Sequence, residues 1–462
     1  MPPSCLHILL VNNYTVRAGI PKSLCTLANG MVRRGHRVTI YSQKPVPRWL
    51  FPLYRPGYRL YALSLSKGSR PTFPRGTRAL RDMYPLDPAV GVVPYSLTDN
   101  NLKIQRLRRQ LRELAPDVCV CADAGGNQLL WAVTLMGSGI PFVYSERHAP
   151  ATIEHVFWNR KGRLASMTGA DVIHLLLPSF RSSIPDFLQG RVRIIPNGIT
   201  LPEHCADPAG PKGERKILLW LGRLHEELKQ CRLAMDAFAR IAGEHPEWDM
   251  RIVGDGQDRH LVEEHARCLG LGDRLCLSGE TSDVGAQFAR AQAYCFSSRT
   301  EGMPNALLEA MAAGLPCIAF SECDGVSDII THERTGLLVE TMTAPALART
   351  LDRLLADTAL RVSLGQAARA SLKDFELSRC MDAWEQLLLD AAGQKGHSAL
   401  DAFAEEPFAS RARLSAAARR EWLWRDFRGL MPDSLEGILY WLLWELPRQH
   451  SRNLLRRLGK HI

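Results

Sequence analysis

Two glutamates, Glu301 and Glu309, lie eight positions apart in the most informative stretch of the sequence. Between them, Gly302 permits a tight passage of the backbone, and Pro304 suits the first turn of a helix that we predict over 306–313. The free N–H groups at the start of that helix would attract an anion such as a phosphate. Each carboxylate could accept paired hydrogen bonds from vicinal hydroxyls, as on a ribose or a hexose. The alternative is that both glutamates are surface residues that cap a helix, and spacing alone does not exclude it.

A basic pair, Arg223 and Lys229, follows a predicted strand over Lys216–Leu221. Arginine presents a planar fork of donors and lysine a mobile point charge, so the two together could neutralise a pyrophosphate. Glu226 and Glu227 stand between them in the sequence. A solvated group of charges at the start of a helix is therefore the alternative interpretation.

A third candidate is Gly19, in the loop that follows the first predicted strand. The loop contains neither the G-x-G-x-x-G fingerprint of dinucleotide sites nor a G-x-x-x-x-G-K-S/T phosphate loop. The interest of Gly19 is its position, because a helix that begins there would point its N-terminus at the ligand cleft of an α/β protein. A glycine that only permits a turn is the alternative.

The elements that must position these residues follow an α/β rhythm. The length of 462 residues favours about three folding units, and 46% hydrophobic with 23% charged residues excludes a disordered chain, a collagen-like repeat or a coiled-coil rod. The stretch 46–93, rich in Pro, Gly, Arg and aromatic residues, is predicted to be an insertion of loops. Strands are predicted over 7–11, 37–41, 117–121, 141–145, 172–177, 192–195, 216–221, 250–253, 274–277, 293–296, 317–320 and 336–339.

This rhythm predicts the α/β fold class, with two Rossmann-like doubly wound domains that face each other across a cleft and a C-terminal helical appendage. The predicted units are an N-terminal domain over 1–201, a breaker-rich linker over 202–213, and a second domain over 214–375. A return helix and connection over 376–408 and a tail over 409–462 complete the chain.

The tail holds much of the net charge of +10, because 409–462 carries 11 Lys/Arg and 5 Asp/Glu. It also contains four tryptophans and an apolar helical stripe that includes Leu435, Leu439 and Leu442. Docking on a protein surface and insertion into the interface of an anionic membrane explain this pattern equally well. We do not expect nucleic-acid binding, since no recognised motif accompanies the charge.

Twelve scattered cysteines without a C-x-x-C motif are predicted to be reduced core residues of a cytoplasmic protein. The N-terminus lacks the pattern of a signal peptide, and no uncharged apolar stretch reaches the roughly 18 residues that span a bilayer. We therefore expect a cytoplasmic location, with peripheral attachment to the cytoplasmic face of the membrane if the tail binds lipid.

These residues together resemble the GT-B glycosyltransferases, and specifically the retaining glycosyltransferases of family 4. The resemblance is carried by Glu301 and Glu309 within EGMPNALLEAMAAGLP, and by Gly222-Arg223-Leu224 with Lys229. It spans about residues 5–395. Further phrases typical of the family are Gly254-Asp255-Gly256, Gly336-Leu337-Leu338-Val339, Ile195-Pro196-Asn197-Gly198-Ile199 and Ser145-Glu146-Arg147.

The resemblance implies a role for each residue. Glu309 would bind the ribose hydroxyls of a nucleotide sugar, and Glu301 would bind the hydroxyls of the donor sugar. Arg223 and Lys229 would hold the diphosphate as it leaves, and Arg147 would lie near the scissile bond. The catalytic residues would thus be Glu301, Arg223, Lys229 and Arg147. The donor-binding residues would be Glu309, Gly222, Gly19, Gly302, Met303, Pro304, Asn305 and Gly254.

Three positions depart from the common family pattern. Ala18-Gly19 stands where many members have two glycines, and Pro21 stands where many have an acidic residue. Arg147 stands where many members have a histidine, and the adjacent His148 is the less favoured occupant of that role.

The resemblance also implies a reaction. We expect a retaining, metal-independent hexosyltransferase without a cofactor, which moves a sugar from a nucleotide-diphosphate donor on the C-terminal domain to an acceptor on the N-terminal domain. The acceptor would be a glycan or lipid-linked molecule in the biosynthesis of surface polysaccharide or lipopolysaccharide. The alternatives are a phosphorylase- or epimerase-like enzyme that acts on nucleotide sugars, and a catalytically silent relative that scaffolds membrane glycan assembly.

Overall fold

The computed structural model of the chain describes residues 5–12, 19–43, 84–95, 100–122, 131–132, 134–135, 138–150, 160–211 and 213–393. These residues form two parallel β-sheets with helices packed around them. The predicted α/β architecture of two Rossmann-like halves is confirmed. The tail over 409–462 lies outside the described residues.

Among the described residues, seven parallel strands form the first sheet, and helices pack around it. The strands are β1 (His7–Asn12), β2 (Arg37–Gln43), β3 (Gly91–Tyr95), β4 (Val118–Ala122), β5 (Phe142–Ser145), β6 (Val172–Leu175) and β7 (Val192–Ile194). They lie in the order β3-β2-β1-β4-β5-β6-β7. The helices are α1 (Gly19–Arg33), α2 (Asn100–Leu114) and α3 (Arg160–Thr168). All residues of β4 and β5 are buried, because apolar clusters cover both faces of the sheet, and this explains their unbroken apolar runs.

Six parallel strands form the second sheet. They are β8 (Lys216–Leu221), β9 (Trp248–Val253), β10 (Leu275–Gly279), β11 (Ala293–Phe296), β12 (Cys317–Phe320) and β13 (Leu337–Val339), in the order β10-β9-β8-β11-β12-β13. Its helices are α4 (Glu226–Lys229), α5 (Cys231–Ile241), α6 (Arg259–Leu269), α7 (Val284–Arg290), α8 (Asn305–Ala312), α9 (Ala344–Ala356) and α10 (Thr358–Ala370). Short 3₁₀ helices lie at Pro178–Ser183, Asp186–Arg191, Gly272–Arg274, Val326–Asp328 and Ser371–Phe375.

The helix α11 (Leu377–Ala392) returns to the first sheet after the second sheet is complete. Its apolar side chains Met381, Trp384 and Leu388 are buried in the core cluster that covers one face of that sheet. A backbone bridge between Ile199 and Glu376 fixes the start of the return. The chain therefore crosses between the two halves twice, and this limits how they can separate.

One element was predicted wrongly. The strand β3 falls in the stretch 46–93 that we expected to consist of loops, and the rest of that stretch before residue 84 lies outside the described residues. Gly91 and Pro94 weaken the strand signal of this short segment. The structure tolerates these two residues because β3 lies at the edge of the sheet. The open side of an edge strand has no partner strand, so a proline, which has no N–H, loses no hydrogen bond there.

Eight of the twelve cysteines are buried, as predicted, but Cys5, Cys205, Cys268 and Cys276 are exposed. For Cys276 the reason is its place in the edge strand β10, whose alternate residues face solvent.

Across the described part of the chain, each helix is too short or too polar to traverse a bilayer.

Candidate active site

The loops at the carboxyl edges of the two sheets face each other. A Cβ atom at Gly302, in the loop after β11, would lie 2.1 Å from the backbone oxygen of Arg147, which follows β5. A Cβ atom at Gly19, the first residue of α1, would lie 3.3 Å from Nδ2 of Asn305, the first residue of α8. The predicted residues of both halves therefore meet in one cleft.

Glu301 and Lys229 form an ion pair in this cleft, and their side chains are 14% and 26% exposed. Hydrogen bonds between the two loops that carry Lys229 and Glu301 hold this ion pair in position. The hydroxyl of Ser297 donates to the backbone oxygen of Lys229 at 2.8 Å and accepts from Nε1 of Trp220 at 2.9 Å. The N–H of Arg299 also donates to the Leu228 carbonyl. These bonds join the loop after β11 to the loop after β8 and fix a carboxylate beside an ammonium group.

Glu309 has a second lysine as its partner, and this lysine comes from the other half of the molecule. The Nζ atom of Lys22 on α1 lies 2.8 Å from Oε1 of Glu309 on α8. The carboxylate is 28% exposed, so a ligand in the cleft can reach it. The helix α8 begins at Asn305, one residue earlier than predicted, and Pro304 is its cap residue. Glu309 consequently lies about one helical turn from the positive N-terminal end.

Arg223 is exposed in the loop that follows β8. The backbone of this loop packs closely against the loop after β9. A Cβ atom at Gly254 would lie 1.8 Å from the Gly222 oxygen. Gly254 also has φ +144°, a conformation that side chains rarely allow. Gly222 and Gly254, which we predicted to bind the donor, thus also have a structural role. They let the loops after β8 and β9 pack together.

Arg147 is buried and held by several partners. Its Nε donates to Oγ of Ser145 at 2.8 Å, its Nη1 donates to Oδ1 of Asn197 at 2.9 Å, and its guanidinium lies 5.5 Å from the ring centre of Trp384. Burial lowers the pKa of Arg147 to about 10, so the group stays charged at neutral pH. Asn197 in turn donates to Oδ1 of Asn305 at 3.0 Å, which links Arg147 to the start of α8.

Two histidines lie near this arginine and are neutral. His174 is fully buried, its Nδ1 is 2.9 Å from Oγ of Ser145, and its Nε2 is 2.8 Å from the Ile195 carbonyl. Because a carbonyl can only accept, Nε2 carries the proton and Nδ1 accepts from the hydroxyl. Burial lowers the pKa of His174 well below its usual value, with the charge of Arg147 as a second cause, and burial lowers the pKa of His148 to about 4.

Sequence reasoning assigned no role to three residues of this region. Lys22 and Asn197 both reach across the cleft, and Glu146 forms a buried pair with Arg163. The signal for Lys22 is its place one turn into a helix that begins at Gly19. Asn197 lies within a family-typical phrase, but its partners are far away in the sequence and no local pattern reveals them.

The remaining predicted residues also lie at this edge. Met303 is buried, and Pro304 and Asn305 lead into α8. Among the described residues, no three His, Cys, Asp or Glu side chains converge as metal ligands. Metal independence of the reaction remains a prediction.

We predict that Gly302→Ala disrupts the cleft while both halves stay folded. The added methyl would overlap backbone atoms of Arg147 and His148, which cannot move aside as the end of a flexible side chain could. We expect at least a tenfold loss of donor affinity, measured by calorimetric titration, with unchanged far-UV circular dichroism.

The matched control is Gly243→Ala, since a Cβ atom there meets nothing within 4 Å. Wild-type donor affinity in Gly302→Ala would show that the two edges do not have to approach this closely.

Comparisons with known proteins place the chain in a family. Residues 18–198 match the profile of the glycosyl transferase 4-like domain, and residues 206–371 match that of glycosyl transferases group 1. One relative is an α-1,4-N-acetyl-D-galactosaminyltransferase of Campylobacter jejuni, named for the acceptor GalNAc-α-(1→4)-GalNAc-α-(1→3)-diNAcBac-PP-undecaprenol. It is 27% identical over 289 residues, which cover 62% of this chain and 79% of the relative.

A second relative is the lipopolysaccharide 1,6-galactosyltransferase of Escherichia coli, 24% identical over 321 residues, which cover 66% of this chain and 85% of the relative. Among solved structures, HepE of Anabaena in complex with UDP is similar with a TM-score of 0.64 and 14% identity, over 83% of this chain and 100% of that chain. This likeness shows a shared fold. Since the two profiles together match well over half of the chain, the chain belongs to the GT-B glycosyltransferases of the family 4 type.

Proposed function

We propose that this glycosyltransferase moves a sugar from a nucleotide-diphosphate donor to a glycan or lipid-linked acceptor, with retention of anomeric configuration and without a metal ion. The observation that carries the proposal is the pair of carboxylates in the cleft, Glu301 beside Lys229 of its own half and Glu309 beside Lys22 of the facing half. Relatives named for transfer to lipopolysaccharide and to an undecaprenol-linked glycan support this class of acceptor.

Donor binding would exchange these ion pairs for contacts with the ligand. Ribose hydroxyls would take the place of Lys22 at the carboxylate of Glu309, and hydroxyls of the donor sugar would bind Glu301. The two lysines are then free to approach the diphosphate. The pair of Lys22 with Glu309 is the more exposed of the two, so breaking it costs about 1 kcal/mol or less.

The chemistry follows from the charges. Cleavage of the glycosyl–phosphate bond builds negative charge on the diphosphate and positive character on the sugar. Arg223 and Lys229 would stabilise the leaving diphosphate, and cations that are already in place lower the barrier without reorganisation. Arg147, held rigidly by Ser145 and Asn197, would supply a further fixed positive charge on the side of the N-terminal sheet.

Release of nucleoside diphosphate from UDP-, GDP- or ADP-sugars by the purified chain tests the proposal. A catalytically silent scaffold would bind a donor at most and release nothing. The presence of both carboxylates and both cations of the family pattern does not favour that alternative.

We also propose that the basic tail over 409–462, which lies outside the described residues, attaches the enzyme to an anionic membrane surface. Its excess of Lys and Arg would pair with acidic lipids, and its tryptophans would lie at headgroup depth. An enzyme with a lipid-linked acceptor would thereby be kept beside its substrate.

Liposome flotation checks this proposal. We expect the full-length chain to float with vesicles that contain phosphatidylglycerol and to stay in the soluble fraction with pure phosphatidylcholine, whereas a 1–408 truncation stays in the soluble fraction with both. Equal flotation of the two proteins would contradict a role of the tail in membrane attachment.

A further inference from the structure

A cavity of about 360 Å³ lies beside the cleft, between loops of the two halves. One wall is the 3₁₀ helix Pro178–Ser183 after β6, and the other is the segment 321–328 after β12. Its volume falls within the range of about 300–1,000 Å³ that is usual for small-molecule sites. Among the described residues, none of the donor-binding residues proposed above belongs to its lining.

The two walls are joined by specific contacts. The backbone N–H of Ser179 donates to Oδ2 of Asp328 at 3.3 Å. A Cβ atom at Gly325 would lie 2.2 Å from Cδ1 of Leu177, so the second wall packs directly against the first. Ser183 accepts a hydrogen bond from the buried Arg163 at 2.7 Å. These contacts hold the two walls of the cavity in a fixed position relative to each other.

The cavity adjoins the carboxylate that we assign to the donor sugar. Oγ1 of Thr300, the residue before Glu301, donates to Oδ2 of Asp324 in the cavity wall at 2.8 Å. Burial raises the pKa of the Cys323 thiol, which also lines the cavity, and the charges of Glu301 and Asp324 raise it further. Glu301 therefore directly follows a residue that is hydrogen-bonded to this wall.

The lining has a distinct chemistry. Serines supply hydroxyls from both walls, and the carboxylates of Glu322, Asp324 and Asp328 supply acceptors. Among the described residues that line the cavity, none is Lys, Arg or His. Hydroxyls and carboxylates match the hydroxyl and ammonium groups of a sugar, whereas a phosphate or carboxylate on the ligand would face three like charges.

We propose that this cavity binds the acceptor sugar unit and selects a neutral or amino sugar over an anionic one. The proposal rests on the function proposed above, since it places the acceptor beside the donor sugar at Glu301. It assigns the acceptor a site shared by both halves, so that acceptor binding favours the closed cleft.

Binding of three probes tests the assignment: methyl α-D-glucosaminide, methyl α-D-glucoside and methyl α-D-glucuronide, titrated into the full-length chain by ligand-observed NMR. We expect the glucosaminide to bind at least about fivefold more tightly than the glucuronide, which is the discrimination expected from a partly exposed charge. In a Glu322→Gln/Asp328→Asn variant this preference should fall below twofold.

A Glu264→Gln variant, which removes an exposed charge on α6, is the matched control and should keep the wild-type preference. Equal or tighter binding of the glucuronide, no measurable preference, or a preference that survives in the double variant would overturn the proposal. Thermal stabilisation by UDP-, GDP- and ADP-glucose, measured on the same samples, reports the donor function separately. A lost glycoside preference with intact donor binding therefore contradicts the acceptor site alone.

Discussion

We expect Glu309→Ala and Arg223→Ala each to reduce sugar transfer severely while the chain stays folded. Glu309 lies on α8 about one turn from its start, and Arg223 is an exposed cation after β8. We expect Arg223→Ala to lower kcat by about 10²–10³, the usual effect of removing one preorganised group that stabilises transition-state charge. Glu309→Ala should act mainly through a higher KM for the donor, because ribose contacts are made before and during the reaction.

The fold should tolerate both changes. The ion pair of Glu309 with Lys22 joins a partly exposed carboxylate to a largely exposed ammonium, so its loss costs about 1 kcal/mol or less. Arg349→Ala, at an exposed position on α9, is the matched control and should keep wild-type turnover. The measurement is nucleoside-diphosphate release under saturating and limiting donor, with the unfolding temperature of each variant. Wild-type turnover in either folded variant would refute the assignment of the site.

The largest effect on stability is expected from Arg163→Met. The side chains of Arg163 and Glu146 are both fully buried and form a two-pronged pair, with Nε at 2.7 Å from Oε2 and Nη2 at 2.9 Å from Oε1. The hydroxyl of Tyr144 also donates to Glu146 at 2.9 Å. Burial raises the pKa of this tyrosine well above its usual value, and the charge of Glu146 adds to the shift.

Removal of Arg163 would leave a buried carboxylate without its counter-charge, which costs about 3–5 kcal/mol. The double variant Glu146→Gln/Arg163→Met removes both charges and should recover a large part of that loss. Urea unfolding followed by fluorescence measures the difference between the two variants. A single variant as stable as the wild type, or a double variant that is less stable than the single, would contradict the role of the pair.

Much of the fold could be predicted from the sequence, because unbroken apolar runs and helical periodicities are local signals. Twelve of the strands in the two sheets overlap predicted ones, and their carboxyl edges carry Glu301, Lys229 and Arg223 as expected from a parallel sheet. The strand β3 was missed because a glycine and a proline obscure it, and only its pairing with β2 makes it a strand.

The parts of the site that were not predicted depend on contacts between distant residues. Lys22 meets Glu309 across 287 positions of sequence, and Asn197 meets Asn305 across 108. Glu146 stands between two residues of a recognised phrase, yet it points to Arg163 and not to the cleft. Each of these pairings depends on how the two halves approach each other or on how a helix packs. Such long-range contacts leave no repeating pattern in the sequence.

The central claim is that a nucleotide-diphosphate sugar binds between the two sheet edges at Glu309. Thermal unfolding of the wild type and of Glu309→Ala with UDP-, GDP- and ADP-sugars tests it most directly. A donor present at about 100 times its Kd should stabilise the wild type by about 2.7 kcal/mol. We predict that at least one of the donors does so, and that the same donor at the same concentration leaves Glu309→Ala nearly unshifted. Failure of every donor to stabilise the wild type, or equal stabilisation of both proteins, would contradict the claim.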